Sequence, residues 1–71
     1  NQDELMPRVL DYIVNEETIS TSKLQRIFSI GYNRAASIID DLESKGYISQ
    51  ARGAKPRTVH LTQEALNNMR F

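Results

Sequence analysis

The chain has 71 residues, nine Lys plus Arg against nine Asp plus Glu, a single His and no cysteine. That length predicts one domain, residues 1–71, with a small core and no deep pocket. The lack of thiols excludes a disulfide or thiolate-metal staple, and no apolar run approaches the roughly 20 residues that a membrane-spanning helix requires.

In chain order, "DELMPRVLDYIVN" sets Leu5, Val9 and Ile13 at helical spacing with Met6 and Leu10 alongside, which predicts a first helix over about residues 3–15. Asp3 and Glu4 suit its positive N-terminal end, and Pro7 is tolerable in the first turn. "EETIS" reads as a turn and a short extended piece. Ser20 or Thr21 can cap "TSKLQRIF", a short second helix with an apolar edge of Leu24, Ile27 and Phe28. Gly31 in "SIGY" is expected to supply the backbone conformation of a tight turn. A third helix follows over about residues 32–45, stopped by Gly46.

"YISQA" and "RTVHLT", rich in β-branched and aromatic residues around the basic turn "RGAKP", predict a β-hairpin. Thr62 can cap a last helix, "QEALNNM", with Leu66 and Met69 closing over the core. Tyr32, Tyr47, Phe28 and Ile48 are expected to line the core between the third helix and the hairpin, Tyr12 to lie in the core or on its rim, and His60 to face solvent. The expected fold class is mainly α with a small β-hairpin: a winged helix-turn-helix of three core helices, a wing and a short C-terminal helix.

The third helix poses the functional question. Ala35, Ile38, Ile39 and Leu42 cluster on one side, whereas Asn33, Ser37, Asp40 and Ser44 share a stripe on the other. Short polar side chains instead of long Glu and Lys suit close approach to another surface. Asn33 can bond adenine N6 and N7, Asp40 can accept from a cytosine amino group, and Arg34 can take guanine O6 and N7 or a phosphate. Lys23 and Arg26 on the second helix and Arg52, Lys55 and Arg57 around the hairpin tip are the candidate phosphate contacts. Residues 1–17 hold five acids and one base, residues 18–71 eight bases and four acids. This asymmetry allows a basic face toward phosphate while the acidic face points away.

Catalysis is not expected. The sequence has no Ser/His/Asp grouping in a plausible order and no Gly-rich phosphate loop, and its adjacent carboxylates, Asp40 and Asp41, point about 100° apart on a helix. No metal-ligand spacing surrounds His60, and neither metal nor cofactor is expected. The reading is of a soluble, cytoplasmic domain, and the start at Asn1 without Met predicts excision from a longer protein.

"STSKLQRIFSIGYNRAASIIDDLESKGYIS" followed by "GAKPRTVHLT" resembles the gamma domain of the FtsK/SpoIIIE DNA translocases. That resemblance implies a winged helix at the C-terminal end of a hexameric, ATP-driven, membrane-anchored motor. It implies recognition of short, asymmetric, G-rich sites in double-stranded DNA, which sets the direction of translocation in chromosome segregation, and in some members contact with a tyrosine recombinase. The isolated domain is expected to be monomeric and to touch no membrane. The family's reading positions fall on Asn33, Ser37 and Asp40. Ser37 departs from the family's usual Arg, as does Ser29 from a common Arg, and a hydroxyl cannot replace a bidentate guanine contact. The alternatives are a protein-docking winged helix, consistent with net neutrality and these two losses, and a DNA-binding regulator of a phage or mobile element.

Overall fold

A computed structural model describes residues 3–69. Four helices and a two-stranded antiparallel sheet follow the order α1 (Met6–Ile13), β1 (Thr18–Ile19), α2 (Thr21–Phe28), α3 (Tyr32–Ser44), β2 (Arg57–Thr58) and α4 (Gln63–Met69). The apolar spacing of each helix supplies the core. Met6, Val9 and Ile13 of α1, Leu24 of α2, Ala35, Ile38, Ile39 and Leu42 of α3 and Leu66 of α4 are buried in one cluster with Ile19, Ile48 and Leu61. The principal helix pair is α2 on α3.

The helix ends follow local chemistry. The Ser20 hydroxyl accepts from the Lys23 backbone N–H at 3.1 Å, capping α2. Thr62 does the same for Ala65 at the start of α4. Gly46, at φ +79, follows the end of α3 in the left-handed region that glycine tolerates best. The first helix is shorter than its apolar pattern suggests. Asp3 starts a turn instead, its carboxylate accepting from Leu5 N–H at 2.8 Å and its carbonyl from Met6 N–H at 2.9 Å.

The turn between α2 and α3 corrects the expectation placed on Gly31. It is Ser29 that takes the left-handed conformation, at φ 54 and ψ 49, while Gly31 is an extended N-cap at φ −78 and ψ 171. The Schellman-type closure sets the position, because the N–H groups of Ser29 and Ile30 both return to the Gln25 carbonyl.

In the sheet, β1 pairs with β2, Thr18 opposite Thr58 and Ile19 opposite Arg57. The two hairpin runs meet through the isolated bridges Ile48 to Val59 and Arg52 to Lys55. A side-chain substitution explains why this ladder is broken. The Ser49 carbonyl accepts from the Arg57 guanidinium at 3.0 Å, and the Thr58 N–H bonds the Ser49 hydroxyl instead at 2.9 Å.

Three aromatic and apolar placements also differ from expectation. Tyr32 is 64% exposed and lines no core. Phe28 packs edge-on against Tyr12, 5.9 Å between ring centres, in the crease between α1 and α2 and not under the hairpin. Met69 is 44% exposed, its sulfur accepting from the Tyr47 hydroxyl at 3.1 Å, and among the described residues of α4 Leu66 is the one buried in the core. Ile48 is buried, Tyr47 partly so, and His60 is exposed.

Candidate nucleic-acid interface

With Ala35, Ile38, Ile39 and Leu42 turned into the core, the helical repeat turns the opposite stripe outward. Asn33, Ser37, Asp40 and Ser44 are all exposed. Ser44 bonds back to the Asp41 carbonyl at 3.1 Å, whereas the side chains of Asn33, Ser37 and Asp40 make no hydrogen bond among the described residues. Their donors and acceptors face solvent on a helix whose position is fixed from behind.

The six candidate cations divide into two sets. Lys23 bonds Glu16 at 2.7 Å, and this contact raises its pKa. Arg34, 48% exposed, grips Asp3 through two bonds, Nε to Oδ2 at 2.9 Å and Nη2 to Oδ1 at 2.8 Å. Arg57 is 17% exposed and bonds Glu43 at 2.8 Å as well as the Ser49 carbonyl, joining the wing to α3. Arg26, Arg52 and Lys55 are exposed and make no ion pair among the described residues.

Asp3 feels its partner strongly. The Arg34 hydrogen bond first, then the Leu5 N–H, lowers its pKa from 3.8 to about 2, and the same carboxylate raises the pKa of Arg34. The charge asymmetry of the sequence therefore has a different geometry from the one expected. Asp3 and Glu16 do not point away from the basic residues; they flank α1 where it packs beside the other helices and neutralise Arg34 and Lys23. Nothing local in the sequence announces the Asp3 to Arg34 contact, which spans 31 positions.

Beside the stripe, a cleft of about 340 Å³ separates the start of α2 and Tyr32 from the wing residues Lys55, Pro56 and Arg57. On the outer side of the wing, Arg52, Lys55 and His60 share a second concavity with Ser49 and Thr58.

A short helix packed on a second helix with an outward polar face, followed by a wing with cations at its tip, defines a winged-helix domain. The family description "Ftsk gamma domain" matches residues 1–62, and the chain belongs to that family. It is 49% identical over 67 residues to DNA translocase SftA of Bacillus subtilis (strain 168), covering 94% of this chain and 7% of that protein. It is 47% identical over 66 residues to DNA translocase FtsK of Clostridium acetobutylicum, covering 93% and 9%. DNA translocase SpoIIIE of Bacillus subtilis matches at 43% over 67 residues, 94% and 8%. The chain thus spans less than a tenth of the length of these relatives, and it corresponds to a small domain associated with DNA translocases. No helix among the described residues is long and apolar enough to cross a membrane.

Proposed function

We propose that the domain binds double-stranded DNA in a sequence-directed way and thereby orients a translocase motor to which it belongs. In this reading α3 enters the major groove, Asn33, Ser37 and Asp40 address base edges, and Arg26, Arg52 and Lys55 hold phosphates. The observation that carries it is the outward stripe of α3, exposed, with the Asn33, Ser37 and Asp40 side chains making no hydrogen bond among the described residues, in a domain whose relatives are named DNA translocases. Arg34 joins the interface when a phosphate or guanine displaces Asp3, and Lys23 when one displaces Glu16. Arg57 serves by bracing the wing more than by direct contact. ATP hydrolysis, hexamer formation, membrane anchoring and any recombinase contact belong in this proposal to the parent protein, in the cytoplasm-facing machinery of chromosome segregation.

The three candidate cations without an ion pair among the described residues, Arg26, Arg52 and Lys55, imply weak binding by one copy, with log K falling against log salt at a slope of about −3. Linked copies then supply the affinity. The test is selection from a pool of random duplexes followed by sequencing of the retained DNA. Enrichment of an asymmetric, G-rich motif supports the proposal. Retention without enrichment contradicts base reading.

A protein-docking reading has one observation in its favour: Ile27 is 48% exposed beside Tyr12, Phe28 and Arg8 in the crease between α1 and α2. An unenriched pool together with weak, uniform retention would give it the lead.

A further inference from the structure

The cleft between α2 and the wing has a chemistry of its own. Its lining includes Ser22 and Gln25 from α2, Tyr32 from the first position of α3, and Lys55 and Arg57 from the wing. Among the described residues no Asp or Glu lines it, although the chain carries nine. Hydroxyl, amide, ammonium and guanidinium groups all donate hydrogen bonds, so three separate elements present donors to one space. Arg57 adds charge that Glu43 offsets, and Lys55 is the lining cation without an ion pair among the described residues.

Tyr32 is the anomaly that gives the cleft direction. A tyrosine ring normally gains by burial, yet this one is 64% exposed and its hydroxyl has no hydrogen-bond partner among the described residues. Its neighbour Asn33 heads the outward stripe, so the cleft abuts the N-terminal end of the face that the DNA reading lays on base edges. A duplex seated there carries its backbone past Tyr32. A phosphodiester offers only acceptor oxygens and one negative charge, the complement of an acid-free, donor-lined cleft, and Tyr, Gln and Ser side chains are common phosphate partners.

We propose that this cleft seats one backbone phosphate of a DNA duplex, with the Tyr32 hydroxyl and Gln25 amide donating to its oxygens and Lys55 supplying the charge. This inference rests on the DNA-binding reading above. It assigns Tyr32 a contact that raises affinity for every duplex alike and carries no sequence preference.

The test uses Tyr32→Phe, which removes one oxygen and no internal bond, so thermal unfolding should match wild type. Binding to a random-sequence duplex is measured across a salt series for wild type, Tyr32→Phe, Lys55→Ala and the double variant. Tyr32→Phe should weaken binding about 3- to 10-fold with the salt slope unchanged, because no charge is lost. Lys55→Ala should reduce the slope by about one. The double variant should lose less than the product of the single losses, since both groups hold one phosphate. In parallel, the Tyr32 ring resonances are followed by NMR in titrations with the duplex and with inorganic phosphate alone at matched ionic strength. Saturation by the duplex only supports a phosphodiester seat. The inference is overturned if Tyr32→Phe binds duplex like wild type, or if inorganic phosphate alone saturates the Tyr32 shifts, which would mark a free-anion site. A wild-type domain that bound no duplex would remove the DNA reading, and this inference would fall with it.

Discussion

The outward face of α3 and the tip of the wing are both polar and both exposed, but they are held in different ways. Behind the α3 stripe lie Ala35, Ile38, Ile39 and Leu42, each at most 2% exposed, so Asn33 and Asp40 project from a helix seated in the core. Residues 50–56 of the wing are all exposed, with Arg52 bridged to Lys55 at the tip and Arg57 braced by Glu43 and Ser49 at the base. Base readout depends on placing short side chains to within a fraction of an ångström, which a core-backed helix provides. A phosphate contact through a long Lys or Arg tolerates a less constrained platform. In the proposed reading, a core-backed α3 face of short polar side chains would read bases while the exposed, basic wing tip would clamp phosphate.

The largest effect is expected at Ile38, which is fully buried on the inner side of α3. Ile38→Ala should cost about 2–5 kcal/mol of stability, a large share of what a domain of this size can hold. Denaturant unfolding checks it. A loss below about 1 kcal/mol would mean that the core does not set the helix position.

Ser37→Arg sharpens the reading surface. An Arg one turn beyond Asn33 has the length and fork to bond guanine O6 and N7, and in the proposed reading should raise affinity for G-rich sites by about 1–3 kcal/mol. Added charge alone would raise binding to random duplex equally, so the ratio of the two affinities at one salt concentration is the readout.

Arg57→Ala attacks the base of the wing. It removes a charge-assisted bond to Glu43 and a bond to the Ser49 carbonyl from a largely buried guanidinium, and should cost about 1–2 kcal/mol of stability. Its loss should disturb the Ser49 and Thr58 amide resonances. An unperturbed wing with weakened DNA binding would instead place Arg57 directly on phosphate.

The smallest effect concerns Asp3. Because its pKa in the folded state is depressed from 3.8 to about 2, the Arg34 contact contributes stability that is fully present above about pH 4. That contribution is lost as pH falls through about 2. Asp3→Asn should flatten this acid limb in pH-dependent unfolding, and by releasing Arg34 it should tighten binding to all duplexes slightly.

Much of the fold behind this comparison was legible in the sequence, for physical reasons particular to each element. The 3.6-residue spacing of Ile38, Ile39 and Leu42 fixes the inner side of α3 and therefore the outer one. Ser20, Gly46 and Thr62 act on backbone groups within a few residues, so their caps follow from local chemistry. The turn before α3 misleads because glycine draws the left-handed assignment to Gly31, while hydrogen bonding to the Gln25 carbonyl puts it on Ser29. Tyr32 reads as core by residue type, yet it begins a helix beside an open cleft. The pairing of cations was illegible for a different reason. Asp3 with Arg34 and Glu43 with Arg57 lie 31 and 14 positions apart, and only tertiary packing brings them together.

The most direct test of the division between reading and clamping compares Asn33→Ala with Lys55→Ala on two DNAs, a selected duplex and a random one, at one fixed salt concentration. Asn33→Ala should cost about 1–3 kcal/mol on the selected duplex and little on the random one. Lys55→Ala should cost the same on both, by about one phosphate contact. Equal losses on both DNAs for Asn33→Ala would contradict the account, because the α3 stripe would then be touching DNA without reading it.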